Sequence, residues 1–114
     1  MNELVKLRDR LREFARVRDW EQFHSPKNIS MALIVEAAEL VEHFQWLTEK
    51  QSYELPPEKL REVEEEIADI FIYLVRLSDR LGVDMLGSAW RKIDKNELKY
   101  PADKVRGSAE RPKR

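Results

Sequence analysis

Two pairs of carboxylic acids, Glu36 with Glu39 and Glu66 with Asp69, each have a spacing of three residues and sit among apolar neighbours. Ala37, Ala38, Leu40 and Val41 surround the first pair, and Ile67, Ala68, Ile70 and Phe71 the second. On an α-helix, positions i and i+3 project side by side. Four acids on the flanks of apolar stripes repel one another and are costly to desolvate. A cation would relieve both penalties. With no cysteine and no clustered histidine, the ligands are oxygen only, which favours magnesium, or alternatively manganese. Such ions commonly bridge carboxylates to phosphates. The competing reading is a solvated charged helix face, the usual fate of glutamates at this spacing; two such pairs on apolar helices weigh against it. Glu62 and Glu65 lie close by. Glu62 reads as a helix N-terminal charge favoured by the dipole, whereas Glu65 fits either that role or the site. A di-iron carboxylate bundle would need a histidine three residues after a glutamate, and neither His24 nor His43 stands there.

The elements that must carry these acids are helices. Leu4, Leu7, Leu11, Phe14 and Val17 form a first amphipathic stripe, which Asp19 to Asn28 interrupts. Ser25-Pro26 starts a second helix, expected to run to about Leu47 through Leu33, Ala37, Leu40, Phe44 and Leu47. Pro56-Pro57 opens a third, striped by Leu60, Val63, Ile67, Ile70, Leu74, Leu77 and Leu81 and capped by Gly82. Asp84 caps a fourth, with Leu86, Trp90 and Ile93 on its apolar side, ended by Pro101. The expected class is an all-α four-helix bundle over residues 1–101, followed by a charged, disordered tail at 102–114. Ile34, Ala38 and Val41 on the second helix, and Phe71, Ile72 and Val75 on the third, fall outside the stripes. A helix apolar all round is buried on several sides. A chain of 114 residues cannot surround two of its own helices, so a homo-oligomer is expected.

Composition excludes other classes. The 21 basic and 22 acidic residues nearly cancel, leaving no field suited to polymeric nucleic acid or an acidic membrane surface. No run approaches the roughly 20 apolar residues of a membrane span, and charges break up the apolar residues at the N-terminus. A cytoplasmic protein is expected.

The quoted residues are similar to a known family. Glu36-Ala-Ala-Glu39 followed by Glu66-Ile-Ala-Asp69 resembles the signature of the MazG-like, all-α nucleoside triphosphate pyrophosphohydrolases. Arg18-Asp-Trp-Glu-Gln-Phe-His-Ser-Pro-Lys-Asn28, Glu39-Leu-Val-Glu-His-Phe-Gln-Trp46, Ile72-Tyr-Leu74 and Lys92-Ile-Asp-Lys-Asn96 with Tyr100-Pro101 resemble its dCTP pyrophosphatase branch. Val35 stands where some MazG relatives carry a further acid, which sets the chain apart from the MazG branch proper.

The resemblance implies that Glu36, Glu39, Glu66 and Asp69 bind magnesium and serve catalysis, converting a nucleoside triphosphate, dCTP or a modified dCTP, to monophosphate and pyrophosphate. It implies a tetramer built as a dimer of dimers. Trp20 and Trp46 would pack against the base, His24 and Tyr73 would line its pocket, and Lys92 and Asn96 would contact phosphate or sugar. Lys95 and Lys99 are weaker candidates for that contact. His43, four residues after Glu39, is placed either as an outer ligand or, in preference, at the surface. The alternative to an enzyme is a non-catalytic helical oligomeric interaction module.

Overall fold

All four apolar stripes form helices in the computed structural model, which describes residues 2–110. α1 (Glu3–Val17) starts at Asn2, whose Oδ1 accepts the Leu4 N–H at 2.7 Å. α2 (Pro26–Glu42) starts at Ser25, whose Oγ accepts the Asn28 N–H at 3.1 Å, with Pro26 in the first turn where no donor is missed. α3 is a single turn (Glu49–Ser52), and α4 (Pro57–Leu81) is the longest element. Gly82 closes α4 at φ 68°, the left-handed conformation that a Cβ disfavours. α5 (Met85–Lys99) is capped by Asp84, and α6 (Ala102–Val105) follows Pro101. No strand occurs among the described residues.

Two details depart from expectation. α2 ends at Glu42 rather than near Leu47, and residues 43–47 continue as turns. There the hydrogen bonds tighten: the N–H groups of His43, Phe44 and Leu47 reach back three residues, to Leu40, Val41 and Phe44. Thr48 then begins α3 with a reciprocal capping box, its Oγ1 accepting from the Gln51 N–H while Gln51 Oε1 accepts from the Thr48 N–H. α3 carries no apolar periodicity, so only the Thr-x-x-Gln signature marked it. α6 takes up the first part of the charged tail, and residues 111–114 of that expected tail lie outside the described residues.

The chain divides into two compact units between Gly82 and Val83. In the first, α2 packs along α4, and α1 packs on α4 as well. Its buried apolar side chains are few: Ala15 from α1, Ile29 from α2, and Val63 and Val75 from α4. Val75, expected outside the stripe, therefore belongs to the core. Ile34, Val41 and Phe71 are exposed on the single chain, and so are Leu60, Ile67, Leu74 and Leu81 of the expected α4 stripe. α1 is also held to α4 by charge. Arg12 donates through Nε to Asp79 Oδ2 at 2.8 Å, and Arg76 Nη1 lies 3.5 Å from the same oxygen.

Candidate active site

The α2–α4 packing brings the two acid pairs together. Glu36, Glu39 and Glu66 each offer a carboxylate oxygen, and the three oxygens lie within 4.8 Å of one another. Asp69, one turn further along α4, is near enough for its charge to act on Glu36. Glu36 Oε2 and Glu66 Oε2 are both buried without any hydrogen-bond partner. Burial first, then contact with Glu66 and the charges of Glu39 and Asp69, push the Glu36 carboxyl up to about 7. The raised carboxyl is the charge conflict that the spacing foretold.

His43 is not the surface histidine that was preferred. Its side chain is only 15% exposed, with Nε2 at 3.9 Å from Glu66 Oε1 and Nδ1 at 3.8 Å from Glu62 Oε2. Being four residues after Glu39, it follows the same helix face, and the α2–α4 packing carries that face inward. At these distances the ring neighbours both acids without a hydrogen bond to either, and its Nδ1 lies 3.4 Å from Lys59 Nζ.

Beside the cluster lies a cavity of about 410 Å³, lined in part by Asp69, Trp20, His24 and Tyr73. Three of the expected pocket residues thus meet one of the acids. The 18–28 segment is held rigidly by local bonds. α1 ends in a paired left-handed cap: Asp19 has φ 55°, its N–H bonds to Arg16 O, and the Trp20 N–H bonds to Ala15 O at 2.9 Å. That cap folds Trp20 back onto Phe14, the two rings meeting edge to face at 5.8 Å. Arg80 ties the far side of the segment, donating to His24 O at 3.0 Å and Glu21 O at 3.3 Å, and Asn28 Nδ2 donates to Phe23 O.

Both titratable rings of the pocket are shifted toward their neutral forms. Burial, and then the charges of Arg76 and Arg80, lower the affinity of His24 for a second proton. Burial, and then the negative charges of Glu36, Asp69 and Glu39, hold the Tyr73 phenol protonated.

Arg10, Leu11, Phe14, Ile72 and Arg76 also line the cavity and were not singled out from the sequence. Leu11 and Phe14 read as ordinary core. Arg76 was detectable in principle: Glu66, Asp69, Tyr73 and Arg76 follow one another at three, four and three residues, a single face of α4. Trp46 stands apart from Trp20, 86% exposed in the turns after α2 and not among the lining residues. Lys92 and Asn96 lie one turn apart on α5, in the second unit.

These features describe an all-α protein in which two packed helices bring three acids together, with a fourth, Asp69, nearby on the wall of an aromatic cavity. The chain belongs to the MazG-like family, whose sequence profile matches residues 31–112. Trp20 and His24 precede that span. The chain is 46% identical to mouse and 42% identical to human dCTP pyrophosphatase 1, over 85% of its own length. It spans 58% of the length of these curated relatives. A crystal structure of a pyrophosphatase from Archaeoglobus fulgidus superposes with a TM-score of 0.84 at 41% identity, covering 89% of this chain and 94% of that one.

Proposed function

We propose that this chain hydrolyses deoxynucleoside triphosphates, dCTP or a modified dCTP foremost, to monophosphate and pyrophosphate, clearing them from the nucleotide pool. The observation that carries this reading is the continuity of acids and cavity. Asp69 acts electrostatically on the cluster and lines the 410 Å³ space that holds Trp20, His24 and Tyr73. The similarity to dCTP pyrophosphatases and to an archaeal pyrophosphatase supports the same assignment.

In this reading Glu36, Glu39, Glu66 and Asp69 hold a divalent cation, magnesium or in its place manganese. Three converging carboxylate oxygens and two buried oxygens without partners fit a hard ion. Bound there, magnesium would neutralise charge on phosphate oxygens and lower the pKa of a coordinated water. The chain's own groups do the rest. One carboxylate of the quartet accepts the proton from the attacking water. Trp20 offers a stacking face to the base, and Tyr73 a phenolic donor near the acids. In this reading Lys92 and Asn96 on α5 keep the phosphate or sugar contact that the sequence resemblance implies. The exposed apolar side chains of α2 and α4, Ile34, Val41, Ile67 and Phe71, support a homo-oligomer, in this reading a tetramer built from dimers, with a catalytic domain at 1–101 and 102–114 as its tail. No helix among the described residues is long and apolar enough to cross a membrane, in keeping with a cytoplasmic enzyme.

The test is a panel of triphosphates with and without magnesium, resolving pyrophosphate from single phosphate. Magnesium-dependent release of dCMP and pyrophosphate from dCTP is expected. Stepwise loss of single phosphates, or no turnover of any canonical or modified nucleotide, would overturn the assignment. Light scattering of the wild type against Ile34→Glu and Ile67→Glu tests the assembly, with a fall in mass expected.

A further inference from the structure

Arg76 is the one buried charged residue among the described residues, 5% exposed, and its guanidinium is only partly satisfied. Nε donates to His24 Nδ1 at 3.2 Å, and Nη1 lies 3.5 Å from Asp79 Oδ2. Asp79 is already engaged by Arg12, and Nη2 is buried with no partner at all. A cationic donor left unpaired away from water is costly, and both of its N–H groups demand an acceptor. Arg76 also lines the cavity, the side from which a ligand's acceptor would approach the guanidinium.

The bond to Arg76 sets the state of His24 as well. Because Nδ1 accepts, the single proton of the neutral ring sits on Nε2, making that nitrogen a donor. Burial and two nearby guanidinium groups disfavour a second proton on the ring.

Position decides which part of a nucleotide these donors meet. Arg76 lies seven residues beyond Asp69 on one face of α4, two turns or about 10 Å along the axis. The phosphate end belongs at the carboxylates, and Tyr73 stands between. What reaches Arg76, Trp20 and His24 is therefore the base.

From this geometry we infer that Arg76 and His24 form the base-reading edge of the cavity, donating to the neighbouring acceptors O2 and N3 of cytosine and disfavouring rings whose N3 carries a proton. The inference rests on the nucleotide hydrolysis proposed above and names the feature of the substrate that is read. Cytosine presents two acceptors side by side, whereas uracil interrupts them with an N–H that would face a donor. The two rings have nearly the same size, so cavity width cancels in the comparison.

The test is kcat/KM for dCTP and dUTP in the wild type, Arg76→Lys, Arg76→Met and His24→Phe, with calorimetric binding of dCMP and dUMP alongside. Wild type should favour dCTP. In Arg76→Met the dCTP-to-dUTP ratio should fall by roughly 10- to 100-fold, the range of one paired hydrogen-bond readout. Arg76→Lys keeps the charge and loses the fork, so its ratio should fall less. If Arg76→Met does not fold, Arg76→Lys and His24→Phe carry the comparison. Parallel loss on both nucleotides in every variant would overturn the inference, leaving Arg76 a residue that only holds the 18–28 segment, while nucleotide hydrolysis would stand. A wild type that hydrolyses nothing would overturn the proposed function instead, and equal binding of dCMP and dUMP would then remove the base-reading edge too.

Discussion

α4 carries two charge networks, and they are built on opposite rules. Toward its N-terminal half, Glu66 meets Glu36 and Glu39 from α2 with like charges facing one another and two carboxylate oxygens unpaired. Toward its C-terminal half, Asp79 is clasped by Arg12 from α1 and by Arg76, while Arg80 donates to backbone carbonyls of the 18–28 segment. The second network is nearly closed and fastens α1 and the segment to α4. The first is left open, and its repulsion is relieved only by a proton or a bound cation. A buried polar group that a fold leaves unsatisfied marks where a ligand is expected. Arg76 sits at the border, closed through Nε and Nη1 and open at Nη2.

Substitutions at the open end should cost activity and leave the fold intact. Glu66→Gln and Glu36→Gln are each expected to lower magnesium-dependent pyrophosphate release on the order of 10³-fold, since each removes a charge that steadies the cation and phosphates. The same variants should raise the melting temperature of the metal-free protein at pH 8, because the repulsion is gone. An active, destabilised Glu36→Gln protein would erase the distinction between the two networks.

At the closed end the signs should reverse. Asp79→Asn leaves a buried arginine without its anion and is expected to cost about 2 kcal/mol, or roughly 10 °C in melting temperature. Urea titration followed by circular dichroism measures this directly. A variant as stable as the wild type would mean that Arg12 and Asp79 do not fasten α1.

The smallest effect, and the sharpest comparison, is in pH. Folding raises Glu36 from its ordinary value to about 7, so the native state binds a proton more tightly than the unfolded chain. Stability of the metal-free protein should therefore decline as pH rises from about 4.5 to about 7, by a few degrees in melting temperature, with added magnesium restoring it. Folding lowers Asp79 through its hydrogen bond to Arg12, so its contribution is present above the ordinary carboxyl value and is lost as pH falls through the lowered one. Melting temperature scanned over pH in the wild type, Glu36→Gln and Asp79→Asn separates the two. Glu36→Gln should flatten the decline toward neutrality, and Asp79→Asn should remove the loss in acid.

Much of this was legible from local pattern. The acid pairs, the stripes, and the caps at Ser25, Gly82 and Asp84 are all set within one or two helical turns, where side-chain spacing and backbone geometry decide the outcome. The misreadings have more than one source. Phe44 and Leu47 have a spacing that suits a continuing helix, but the chain tightens after Glu42 into turns bonded three residues back. His43 reads as exposed until α4 is packed against it. Leu11 and Phe14 look like core residues because an apolar stripe does not distinguish a packed interface from a cavity wall. Asp19 is an unusual residue for a left-handed cap, so the turn that sends Trp20 back onto Phe14 carried no glycine to announce it.

The sequence by itself determined which residues could share a helix face, and hence that Glu36 with Glu39 and Glu66 with Asp69 would act as pairs. Only the tertiary structure decided that the two pairs meet, that Trp20 and His24 join Asp69 while Trp46 does not line their cavity, and that Arg76 is buried with a donor to spare. The reason is physical. Side-chain direction along a helix follows from a fixed rotation per residue, whereas convergence depends on which faces of α1, α2 and α4 pack together, a contest of burial among residues far apart in the chain.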